Sequence, residues 1–182
     1  MKPTLAAHAD HAPQPDTHVA RAQEWFLEGN RKWNEEDIHG ALECFMKSVE
    51  SDATGDAFYN IANCHLQLGN YLDAQTAWEK SIELSPKRAD AHVNLANVYA
   101  LVLKDTAKAL PLYEEALRLE PTDGDIRFNY AAVLDSAGQL EKAIEQYKLA
   151  IDNGCKVAEK NLRNALARQL GKHLKESEGS DK

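Results

Sequence analysis

LGNYLDAQTAWEKSIELSP, residues Leu68 to Pro86, sets a small alanine at 74, an indole at Trp78, a small serine at 81 and a proline at 86. The first three recur at i, i+4 and i+7, so they share one face of a helix. That face is small, large, small. A second helix approaches closely only over the small residues, while the large ring fills the space beside them. Pro86 stops the helix, because it has no backbone donor and restricts the residue before it.

Reading outward from this stretch, the same pattern returns every 33 to 35 residues, which is the mark of a repeat architecture. Four copies align, at residues 22–54, 55–88, 89–123 and 124–157, each read as helix A, a short turn and helix B. Position 20 is alanine throughout: Ala41, Ala74, Ala109 and Ala143. Position 8, on the facing helix, is Gly29, Ala62, Ala96 and Ala131. Position 24 is Phe45, Trp78, Tyr113 and Tyr147, and position 27 is Ser48, Ser81, Ala116 and Ala150.

These residues resemble the tetratricopeptide repeat (TPR) family over about three quarters of the chain, residues 22–157. The resemblance implies an all-α fold, a right-handed α-solenoid of four TPR helical hairpins. There are departures from the family pattern. Repeat 1 has Glu28 where a large apolar residue is usual, as befits a terminal repeat. Repeat 3 carries an extra residue near Leu103 and Lys104, expected in the turn between its helices, and Pro111 inside helix B predicts a kink or a late start. Repeat 4 has Arg127 at position 4 and Cys155 in place of the terminating proline. The chain can then turn at Asn153-Gly154 and continue as a capping helix over residues 155–174, with Ala158, Leu162, Ala165, Leu166 and Leu170 at helical spacing. The repeat region is bounded as 17–157, with residues 1–16 expected as a disordered leader and 175–182 as a disordered tail.

The family's architecture places the A helices on a concave wall and implies a peptide-binding groove there. The groove residues this chain supplies are Phe26, Asn30, Tyr59, Asn60, Asn63, Asp90, Asn94, Asn97, Phe128 and Asn129. Asparagine recurs at position 6 in Asn60, Asn94 and Asn129, and at position 9 in Asn30, Asn63 and Asn97. An amide both donates and accepts, so such a row can hold the backbone of an extended ligand while Phe26, Tyr59, Val93 and Phe128 meet its apolar side chains. This is similar to the asparagine ladders of the O-linked N-acetylglucosamine transferase superhelix, the peroxisomal import receptor and kinesin light chain. The other reading is that asparagine is simply common at position 6 of the repeat. Asp56, Asp90 and Asp125 at position 2 either line the wall with negative charge or serve the first turns of their helices. The carboxylate clamp of chaperone-binding relatives is mostly lacking: its basic positions hold Phe26, Asp90 and Asn94.

A net charge of −8 argues against a nucleic-acid binder, which needs surplus lysine and arginine. Residues Lys156 to Lys175 carry +5, leaving −13 for the rest, so the capping helix is basic and the body acidic. That asymmetry reads as a solvated helix face, a complement to the body, or a docking site for an acidic partner or a membrane surface. The longest apolar run, Val98 to Leu103, is too short to insert in a membrane. Cys44, Cys64 and Cys155 are odd in number and widely spaced, which predicts reduced, mostly buried thiols. His8, His11 and His18 lack thiolate or carboxylate partners, and no phosphate loop, HExxH or GxSxG is present. No catalytic residue, metal, cofactor or small-molecule substrate is expected. The function expected is that of a non-enzymatic cytoplasmic adaptor whose groove binds an extended or helical segment of another protein. A constitutive subunit of a larger assembly is the alternative, and a co-chaperone that binds chaperone tails is a third.

Overall fold

The computed structural model describes residues 17–180, and their regular structure is helical, with no strand among them. The leader and the last two residues of the tail lie outside the described residues. The helices are α1 (Thr17–Asn34), α2 (Ile38–Ser51), α3 (Gly55–Gln67), α4 (Tyr71–Leu84), α5 (Ala89–Asn97), α6 (Thr106–Leu119), α7 (Gly124–Ser136), α8 (Leu140–Asp152) and α9 (Ala158–Ser180). Successive pairs from α1 to α8 form four hairpins, and packing runs between neighbours in chain order, with α9 resting on α8 and touching α7. The result is an open α-solenoid. No helix among the described residues is long and apolar enough to cross a membrane.

The periodic small and aromatic residues form the seam of this stack. Every residue at positions 8, 20, 24 and 27 is buried in all four hairpins, including the rings of Phe45, Trp78, Tyr113 and Tyr147. Position 27 adds a polar link where it is serine: Ser48 Oγ donates to Ala22 O and Ser81 Oγ to Gly55 O, each at 2.8 Å. Each bond ties helix B to the start of helix A within its own repeat, and it satisfies a hydroxyl that would otherwise be buried without a partner.

The turns follow one design, with repeat 3 as the exception. In repeats 1, 2 and 4 the residue after a left-handed position donates to the carbonyl five residues back: Asp37 to Lys32, Asn70 to His65 and Gln139 to Leu134. The left-handed positions are Glu36, Gly69 and Gly138, with φ of 62°, 78° and 75°, a conformation glycine adopts without strain. In repeat 3 the left-handed residue is Lys104 at φ 57°, and Asp105 donates six residues back, to Tyr99 O. The extra residue does not lengthen the turn. It is absorbed within helix A as a π-helical turn, Val98–Val102, which continues α5. Helix B does not make the late start that Pro111 allowed. It starts at Thr106, with Asp105 accepting from the Lys108 amide, so Pro111 lies inside α6 instead of delaying its start.

At the other end, α9 begins at Ala158 and continues to Ser180, through most of the segment read as an unstructured tail. Extending a helix already formed needs no new nucleus, and lysine, glutamate and serine permit it. Ala158 and Ala165 are fully buried against the stack, and Leu162 packs on it. Arg168 reaches Asp135 at 2.5 Å and Lys172 approaches Glu141 at 4.0 Å. Two of the basic residues of α9 thus face carboxylates of the acidic body.

Adjacent repeats are also joined by phenols. Tyr99 donates to Glu79 Oε1 and Tyr130 to Glu114 Oε1, both at 2.9 Å. Burial, then the carboxylate acceptor, pushes each phenol up to about 12. An ordinary tyrosine titrates near about 10. The folded chain therefore keeps protons that the unfolded chain releases, and stability complete below about pH 10 falls as pH rises toward 12. Urea midpoints at pH 8, 10 and 11 should decline across that window, and less steeply in the Tyr99→Phe/Tyr130→Phe chain. Equal slopes in the two proteins would refute this assignment.

Candidate protein-binding groove

Helices α1, α3, α5 and α7 present the side chains proposed from the repeat register, and hydrogen bonds show which of them meet. Asn60 Nδ2 donates to Asn30 Oδ1 at 3.3 Å, joining α3 to α1. Asn94 Nδ2 lies 3.3 Å from the Tyr59 hydroxyl and 3.5 Å from Asn63 Oδ1, joining α5 to α3. All these side chains are half-buried. The amides therefore form a polar seam of two links across three A helices, Asn30 to Asn60 and Asn63 to Asn94, through long bonds that a better partner can replace. Asn97 differs, since its Oδ1 accepts from the Tyr113 hydroxyl on helix B. Its carbonyl serves the stack.

Beyond the seam, Asn94, Asn97 and Asn129 together with Leu66, Val98, Leu101 and Val102 line a recess of about 360 Å³. No charged residue lines it.

The rings are less available than their positions suggest. Phe26 packs edge-on against Phe45 with centroids 5.6 Å apart, and Phe128 leans on Tyr147 at 6.1 Å. Both remain half-buried and stand at opposite ends of the wall. Tyr59 lies beneath the Arg88 guanidinium, 4.7 Å from the ring centroid. Arg88 also pairs with Asp56, so it covers an aromatic face and neutralises one member of the acidic row. No local sequence signal points to Arg88, which is brought there from the loop before α5. Asp90 does not join the amide seam. It rims a separate recess with Asp56, Pro86, Arg88 and Glu120. Capping by side chains falls to Thr54 and Asp123, which accept from the first-turn amides of α3 and α7. Asp56, Asp90 and Asp125 are first-turn acids within their helices.

The three cysteines and His92 lie in the core. Cys44, Cys64 and Cys155 are free and buried, and burial lifts the Cys64 thiol to about 12, far from thiolate reactivity. His92 is buried, with Nε2 3.0 Å from Pro86 O. No group of three or more potential metal ligands occurs among the described residues.

Two family models, both described as tetratricopeptide repeat, match residues 53–121 and 100–154. The chain belongs to the tetratricopeptide repeat family. BBSome complex member BBS4 of Bos taurus is 32% identical over 90 residues, covering 50% of this chain and 17% of that protein. Protein SGT1 homolog of Bos taurus is 32% identical over 109 residues, covering 59% of this chain and 32% of its own length. This TPR chain thus spans a third or less of the curated relatives it matches. Among solved structures, YrrB, described as a TPR protein with an unusual peptide-binding site, superposes with a TM-score of 0.72 at 21% identity, over 85% of this chain and 84% of that one. MamA superposes with a TM-score of 0.70 at 21% identity, over 87% and 92%. The match is one of fold. The family models begin at residue 53, and the first TPR hairpin is recognised by the same small-small-aromatic-small seam, here Gly29, Ala41, Phe45 and Ser48.

Proposed function

We propose that this chain is a non-enzymatic adaptor that holds a segment of a partner protein along its A-helix wall. The observation that carries the reading is the amide seam from Asn30 through Asn60 and Asn63 to Asn94, which crosses three repeats in register. Side-chain amides meet peptide groups whatever the ligand's sequence, and the half-buried Phe26 and Phe128 offer apolar contact toward the two ends of the wall. Each neutral hydrogen bond contributes about 0.5–1.5 kcal/mol net, so affinity comes from several acting together. The Asn60→Ala/Asn94→Ala chain should bind its partner about ten- to a hundredfold more weakly by calorimetry, with its circular dichroism unchanged. Full affinity in that double variant would remove the groove assignment.

A second reading, a constitutive subunit of a larger assembly, is favoured by Leu166, Leu170 and Leu174, which recur along one exposed face of α9. A matched relative is itself a member of the BBSome complex. Size-exclusion of the native protein separates the two: a stoichiometric, salt-resistant particle supports the subunit, and a free monomer the adaptor.

A further inference from the structure

Resting on the groove reading above, we propose that the extra residue of repeat 3 builds an anchor pocket at the end of α5. It takes one aliphatic or aromatic side chain of a short extended partner segment, with lysine or arginine beside that anchor. The π turn is the starting point. In the other repeats helix A ends on polar residues, Asn34, Gln67 and Ser136, whereas here the run from Val98 to Leu103 is apolar throughout. Accommodating one residue too many turns its last members outward: Leu101 is 62% exposed, Val102 40% and Leu103 37%. Leu66, 40% exposed, faces them from the preceding repeat. Scattered exposed leucines mean little, but a contiguous apolar cluster lining a recess marks a contact surface.

The close approach of α5 and α6 does not require this turn. Ala96 and Ala109, which set the close approach of the two helices in repeat 3, are fully buried, as are their counterparts in the regular repeats. The recess identifies its occupant by size, polarity and surrounding charge. At about 360 Å³ it is at the small end of ligand pockets, sized for an anchoring side chain and not for a helix. Its lining is uncharged, which disfavours a carboxylate or ammonium within it. Asn94, Asn97 and Asn129 border it with amides suited to the adjoining peptide groups. One helical turn from Asn94 and Asn129, on the same faces, stand Asp90 and Asp125. Both are exposed, and among the described residues neither takes part in a salt bridge, whereas Asp56 is matched by Arg88. A basic residue flanking the anchor complements that pair.

The test uses the full chain and a phage-displayed library of random twelve-residue peptides, with selected peptides resynthesised and titrated by fluorescence anisotropy. The expected consensus is an aliphatic or aromatic residue next to lysine or arginine. Leu101→Ser/Val102→Ser should weaken binding about tenfold or more. Both residues are exposed, so the fold should survive. Deleting Leu101 alone, which restores the regular repeat length, should have the same effect. Leu170→Ser on α9 should not. An acidic or wholly polar consensus, or equal binding by wild type and the Leu101/Val102 variant, overturns the anchor pocket. If Asn30→Ala/Asn60→Ala, outside the recess, weakens those same peptides, the groove stands and only the pocket falls. If neither pair matters, or no peptide is selected, both fall.

Discussion

Trp78→Ala should lower the free energy of unfolding by about 3–5 kcal/mol, the loss typical of removing a fully enclosed aromatic side chain. Trp78 has no exposed surface, and it belongs to the continuous core that also holds Ala62, Ala96 and Tyr99. Its indole Nε1 has no hydrogen-bond partner, so the loss is one of packing and of the cavity left behind. In a solenoid each repeat is stabilised largely by its neighbours. The damage should therefore spread unevenly, and amide exchange should quicken first in α3 to α5. Trp78→Phe, which keeps a ring like that of Phe45 in repeat 1, should lose less than half as much. Urea denaturation of the three proteins measures the differences. A loss below about 1 kcal/mol for Trp78→Ala would mean that this ring is not the seam between repeats 2 and 3.

Removing residues 156–182 should have an effect of similar size, on the order of 3 kcal/mol, because it strips the cover from repeat 4. Ala158 and Ala165 are fully buried there and Leu162 is half-buried. The ion pairs contribute less. Arg168 is half exposed where it meets Asp135, and Lys172 and Glu141 are more exposed still, and pairs of that kind stabilise by at most about 1 kcal/mol. The shortened chain should lose exchange protection in α7 and α8, bind an apolar dye and associate as its concentration rises. Lys160→Glu/Arg163→Glu, at two exposed positions, should change none of these. A shortened chain that stays monomeric with α8 protected would show that repeat 4 needs no cap.

The fold was legible because a repeat states its packing rule several times. Alanine at 41, 74, 109 and 143 has one physical explanation, the close approach of a second helix, and those residues are buried as that requires. The wall was legible to the level of register: Asn30 meets Asn60, and Asn94 meets Tyr59 and Asn63. What each side chain does on that wall was not. Asn97 and Asn94 sit in the same repeat three residues apart, yet one accepts from a core tyrosine and the other bridges two helices of the wall. Arg88 covers Tyr59 from 29 residues away in the sequence.

Spacing therefore determined the repeat, its helix pairs and the amphipathic cap, because steric fit between neighbouring helices depends on residue size at fixed intervals, and the family resemblance added the solenoid. The tertiary structure decided where the surplus residue of repeat 3 goes. A loop and a π turn both accommodate one extra residue, and no local preference separates them. The choice rests on whether Tyr99 keeps its bond to Glu79 and Val98 its place in the core while Leu101 and Val102 face outward. That balance is struck among α3, α4 and α5 together, and it exists only once the repeats have stacked.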